Sequence, residues 1–201
     1  MDELVYWADV IDGAQYPDTR TAVEMREPAT QLTLVIEGMS DPQFSVRLIP
    51  KLISQPLQEI MQTPEVRQTF DRLYAVHLKS IEIIRSRGEL TNGVVFFDVA
   101  DQNFEGFNKF IPYYLFPEAV YSVALSRSPA RIKIGVGSNP WNTAPKNANL
   151  ASLCERYGGG GHAKVAAISL PPTDFARARS VAEEIVSDLR SSLAPPVGNR
   201  E

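Results

Sequence analysis

The chain has 201 residues, of which 44% are hydrophobic and 22% charged, with a formal net charge of −4. That balance belongs to a globular protein with a real core, and the negative charge excludes a global basic field, so a nucleic-acid partner would need a local patch. The single cysteine, Cys154, excludes an intrachain disulfide and is the usage expected in a reducing cytoplasm.

No run approaches the roughly 18 apolar residues of a membrane span, and the opening residues are acidic, without a targeting pattern. From Leu4 to Asp12 the chain is strongly apolar, with Asp9 and Asp12 among its polar positions. Pro28 then starts a helix-like stretch with Leu32, Val35 and Ile36 on one face and Gly38 as its cap. Two further helix starts follow at Asp41-Pro42 and Thr63-Pro64-Glu65, each a capping side chain before a proline. In the second helix Val66, Phe70, Leu73, His77, Ile81 and Ile84 recur at spacings of three and four. His77 on that stripe reads as a buried histidine with its hydrogen bonds met. Arg85 and Arg87 close the helix and Gly88 stops it.

Residues 89–93 read as a turn and as the boundary between two parts. Beyond it, 93–99 reads as a buried strand, 108–116 as a helix ended by Pro117, and 120–125 and 131–136 as two strands joined at Arg127-Ser128-Pro129. Residues 149–157 form a short helix with Cys154 on its inner face, and 165–170 a strand. Residues 174–193 form a last helix with Ala178, Val181, Ala182, Ile185 and Leu189 on one side. The tail, 195–201, reads as disordered. The expected fold is therefore α/β: a small mixed-sheet carboxy-terminal domain over 92–193, ordered β-α-β-β-α-β-α, preceded by a mainly helical segment over 1–88.

Gly158-Gly159-Gly160-Gly161-His162 stands out. A glycine in regular structure costs roughly 0.5–1 kcal/mol relative to alanine, so four together imply a task alanine could not perform. Glycine reaches positive φ and lets a ligand approach the backbone, whose N–H groups can converge on an anion. An imidazole at the rim adds a donor that an anionic neighbour would hold protonated. These five residues are read as a loop that holds a phosphate.

The glycine run, the strand-turn-helix leading into it and Ala166-Ala167 after it resemble the DHH-associated carboxy-terminal domain of the DHH phosphoesterase superfamily. That superfamily includes exonucleases, oligoribonucleases, cyclic-dinucleotide phosphodiesterases and polyphosphatases. The resemblance implies that Gly158 to Gly161 and His162 contact a substrate phosphate. It also implies a contact at the end of the preceding strand, where the family often carries Arg-Ser. Here the pair is Gly137-Ser138, followed by Asn139, so Ser138 and Asn139 are the candidate donors and the arginine is missing. Arg131, Lys133 and Lys164 are the basic residues that could compensate. Asn108, Lys109, Phe110, Tyr113, Tyr114 and Trp141 could line a cleft or fill the core.

In the same resemblance Ala8-Asp9-Val10 matches an aspartate motif, which makes Asp9 a candidate Mn²⁺ ligand, with Asp12 as the close alternative. A two-metal centre needs several carboxylate and imidazole ligands, yet the chain has no Asp-His-His or Asp-x-Asp, and only two histidines. Asp98 and Asp101 are the nearest carboxylate pair, at the end of a strand in the other part. The expectation is a remnant of the metal-bearing DHH domain in 1–88, and a substrate-binding role that is incomplete for catalysis alone. The implied partner is a phosphorylated small molecule, a nucleotide or an oligonucleotide, in the cytoplasm, with a homodimer through the apolar amino-terminal segment as a further expectation. The competing readings are a non-catalytic nucleic-acid or nucleotide-binding module and a purely structural interaction domain.

Overall fold

The computed structural model describes residues 2–39, 41–102 and 106–194. The chain forms two compact units, Met1–Ile81 and Glu82–Glu201. The expected disordered tail, 195–201, lies outside the described residues.

The first unit is helical among its described residues: α1 (Asp2–Asp12), α2 (Thr19–Val23), α3 (Pro28–Gly38), α4 (Pro42–Ser54), α5 (Leu57–Gln62) and α6 (Pro64–Arg87), which runs on into the second unit. The proline starts are as the sequence reads. Asp41 accepts the Gln43 N–H at 2.9 Å while Pro42, lacking an N–H, occupies the first turn. Leu32, Val35, Leu48, Ile60, Val66 and Phe70 meet in the core of this unit. His77 is buried, and its Nε2 lies 2.7 Å from the Val23 carbonyl oxygen. Burial pushes its basicity down, against the smaller opposing pull of that hydrogen bond.

The second unit is built on a six-stranded mixed sheet. Its strands are β1 (Glu89–Thr91), β2 (Val94–Asp98), β3 (Tyr121–Arg127), β4 (Ile132–Ser138), β5 (Gly160–His162) and β6 (Val165–Leu170), in the spatial order β1-β2-β3-β4-β6-β5. Only β2 and β3 are parallel. Their crossover carries a 3-10 turn at Ala100–Gln102 and α7 (Ile111–Leu115). α8 (Leu150–Glu155) and α9 (Phe175–Leu193) complete the unit. Alternate residues of the strands, Val123, Ile134 and Ile168 among them, pack with Cys154 of α8 and Ala182, Ile185 and Leu189 of α9. Cys154 is fully buried, and burial pushes its thiol up to about 11.

Three expectations are corrected. Residues 89–93 are a hairpin rather than a bare turn. Asn92 and Gly93 take φ of 48° and 76°, the positive values that a two-residue hairpin turn requires. The helix expected over 108–116 is a single turn, because the Asn108 side chain caps the Phe110 N–H at 2.8 Å and Pro112 brings no donor of its own. The glycine run is no simple loop, since Gly160–His162 is an edge strand.

Candidate functional site: the glycine hairpin

The four glycines have different jobs. α8 ends when the N–H groups of Tyr157 and Gly159 both donate to the Cys154 carbonyl at 3.0 Å, with Gly158 between them at φ 79°. That is the left-handed helix end glycine favours. The chain then turns into β5, which pairs with β6 as Gly160↔Ala167, Gly161↔Ala166 and His162↔Val165. A Cβ on Gly159 would stand 2.4 Å from the Ala167 carbonyl oxygen. One on Gly161, at φ 146°, would stand 2.6 Å from Ala166 Cα. Local backbone geometry therefore accounts for Gly158, Gly159 and Gly161. Gly160 is different: its φ is not left-handed, and a Cβ there would meet nothing within 4 Å.

His162 ends β5 with its ring exposed, immediately before the hairpin turn at Ala163 and Lys164. That turn is pinned from two sides. The Lys164 carbonyl accepts the Ser138 N–H at 3.0 Å and the Ser138 hydroxyl at 3.1 Å, and the Ala163 carbonyl accepts the Leu150 N–H at 3.1 Å. Pairing places Gly137 opposite Val165, and Val165 opposite His162. Ser138 and His162 thus share one end of the sheet, with the backbones of β4 and β5 about 10 Å apart.

Asn139 is only 1% exposed, and its amide is committed to backbone. It donates to the carbonyls of Ala119 at 2.8 Å and Pro117 at 3.3 Å, and its Oδ1 accepts the Trp141 N–H at 3.0 Å. Its side chain holds the loop after β4 in place, so among the expected donors it belongs to the frame of the site. Ser138 likewise spends its hydroxyl on the hairpin turn.

Alternation divides the sheet into two faces. The core face carries Ile132, Ile134, Val136, Ala166 and Ile168. On the other face three rows cross the strands. They are Ser126, Lys133 and Ser169; Ala124, Gly135, Ala167 and Gly160; and Ser122, Gly137, Val165 and His162. Above the third row Tyr113 of α7 is buried, with its hydroxyl 2.8 Å from Ser122 Oγ. Burial raises its phenol far above the ordinary range. The two-residue period of β3, β4 and β6 was the signal for these rows, but the register between strands was not readable without the fold.

Asp9 lies on α1 with its side chain exposed. Asp98 accepts the Ala100 N–H at 3.0 Å. Asp101 is gripped by both terminal nitrogens of Arg87, at 2.8 and 2.7 Å, which holds its carboxyl below the usual range. Among the described residues no group of three or more His, Cys, Asp or Glu side chains is gathered as a metal site.

The fold matches solved structures. A pGpG-specific phosphodiesterase, PggH from Vibrio cholerae, superposes with a TM-score of 0.75 at 22% identity, over 92% of this chain and 66% of that one. A DHH domain from a protein described as belonging to a family of ribosomal proteins gives 0.51 at 15% identity, over 80% of this chain and 42% of that one. The chain shares the fold of these two structures, the second of which is named as a DHH domain. CDC45 from Entamoeba histolytica also superposes, with a TM-score of 0.50 at 9% identity, over 80% of this chain and 37% of that one. The chain thus spans less than two thirds of the length of each of these three structures. No family model and no curated protein matches the chain. No helix among the described residues is long and apolar enough to cross a membrane.

Proposed function

We propose that the second unit grips a phosphate of a nucleotide or oligonucleotide substrate at the β5–β6 hairpin, as the substrate-binding part of a DHH-type phosphoesterase. Gly160 carries this reading. It is the one glycine of the run that neither its backbone conformation nor its neighbours require, and it lies two residues from the exposed His162. A bare backbone beside an imidazole is suited to close approach by an anion. The pinned turn supports the reading further, because fixed donors lose little entropy on binding.

The resemblance implies Mn²⁺ with Asp9 as a ligand. The described residues do not supply Asp9 with the further carboxylate or imidazole ligands such an ion takes, so no step of the function is routed through the metal. Assay of pGpG hydrolysis with and without added Mn²⁺ separates a phosphoesterase from a binding module without chemistry of its own.

The test of the grip is calorimetric titration of pGpG into wild type, His162→Ala and Gly160→Ala. Losing a charge-assisted hydrogen bond costs about 1.5–3 kcal/mol, so His162→Ala should weaken binding roughly tenfold or more. Gly160→Ala should keep its melting temperature, since the methyl has space, yet also bind more weakly. Equal affinity across the three proteins would refute the assignment.

A further inference from the structure

Glycines carry no side chains, so the place of the run 158–161 is set by what holds its two ends. At the far end Ser138 and Leu150 hold the turn carbonyls of Lys164 and Ala163. At the near end stand Arg156 and Tyr157, the last side chains before the run. Both reach α9.

Tyr157 is held on three sides. Its ring packs against the core of the second unit. Its hydroxyl donates to Glu184 Oε2 at 2.9 Å. The Arg156 guanidinium lies over the ring, 5.4 Å from its centroid, and is itself paired with Asp188. Glu184 and Asp188 are four residues apart in α9 and so share one face of that helix. They receive consecutive residues at the end of α8. Glu184 is fixed in turn, because the Ser180 hydroxyl donates to its other oxygen, Oε1, at 3.2 Å.

The two contacts to α9 differ in strength. Arg156 and Asp188 are 53% and 48% exposed in their side chains, and an ion pair so open to water contributes little and is screened by salt. The bond from Tyr157 is a hydrogen bond to a charged acceptor, made from a ring that the core already fixes. Burial, and after it the bond to Glu184, raise the phenol above its ordinary value, so the hydroxyl keeps the proton it donates at neutral pH. Tyr157 is therefore the stronger link between α9 and the glycine run. It adjoins Gly158, whose φ of 79° turns the chain toward β5, and only backbone separates it from the N–H groups of Gly159 and Gly160. Four unanchored glycines would sample many conformations that binding would have to order.

We propose that Tyr157, through its hydrogen bond to Glu184, is a positioning residue for the glycine hairpin and holds the run in its binding conformation before a ligand arrives. This inference rests on the reading of the hairpin as a phosphate grip, since that grip is what it positions.

The test combines calorimetric titration of pGpG with amide hydrogen exchange, on full-length wild type, Tyr157→Phe, Glu184→Gln, Glu184→Ala and His162→Ala. Tyr157→Phe keeps the ring and loses only the hydroxyl. It should weaken pGpG binding about three- to tenfold and speed exchange of the Gly159 amide, with exchange in β3 as in wild type. Glu184→Gln keeps an oxygen to accept from the hydroxyl and should retain most of the affinity that Glu184→Ala loses. Should Tyr157→Phe not fold, Glu184→Ala gives the same reading from the side of α9. Unchanged pGpG affinity in the folded Tyr157 and Glu184 variants, with His162→Ala still weaker, overturns the positioning role and leaves the grip standing. Weaker binding accompanied by faster exchange in β3 also overturns it, because the tyrosine would then serve the fold as a whole. Equal losses in Glu184→Gln and Glu184→Ala overturn the hydrogen bond as the cause. A wild type that does not bind pGpG overturns the grip and this role with it.

Discussion

Gly160 and its three glycine neighbours look alike in sequence and differ in cause. Gly158 serves a left-handed helix end, and Gly159 and Gly161 have no room for a Cβ. Entropy arguments alone could not divide them, since what separates them is the backbone of β6 lying opposite. Gly161→Ala should therefore destabilise the chain by about 1–3 kcal/mol through strain at its positive φ and the clash with Ala166. Gly160→Ala should be within about 0.5 kcal/mol of wild type, and thermal melts of the pair measure the contrast. His77 carries a separate prediction at the same scale. Its basicity is lowered by burial in the folded protein, so between that lowered value and the ordinary ~6.5 of histidine the unfolded chain binds more protons than the folded one. Stability should fall as pH drops below about 6.5, and His77→Gln should flatten that fall in urea melts taken at several pH values.

At the level of elements, β4 and the loop after it form the frame of the site. Asn139 joins that loop to the carbonyls of Ala119 and Pro117, and Ser138 joins β4 to the hairpin turn. Asn139→Ala takes the shorter of two donors from the carbonyl of buried Ala119, leaving only the 3.4 Å bond from Asn142, and should cost about 1–3 kcal/mol, read as a lowered denaturation midpoint in urea. The long elements were legible in the sequence. The stripe from Val66 to Ile84 marked α6, the short apolar run over Val165–Leu170 marked β6, and proline after a capping residue marked the start of α4. The short elements were not. β1 and β5 have three residues each, too few for a period, and each exists because a longer neighbour offers it a hydrogen-bonding edge. The candidate site was legible as a residue set through the glycine run and His162. Its geometry was not, because the row that brings His162 to the same face and end of the sheet as Gly137 depends on the β4-β6-β5 register. Nor did the sequence show that the Asn139 amide is consumed by the fold.

At the scale of the whole molecule, the net charge of −4 means that the anionic substrate we propose has no overall field to attract it and needs a local arrangement. In the unit Glu82–Glu201 the proposed arrangement lies on one face of the sheet, while α8 and α9 cover the other. The most direct test of the central claim is an NMR titration of the ¹⁵N-labelled full chain with pGpG, followed at backbone amides. Saturable shifts should concentrate at Gly160, Gly161, His162 and Lys164, with smaller ones at Gly135 and Ala167. Saturable shifts confined to other parts of the chain, with the glycine hairpin unmoved, would contradict it.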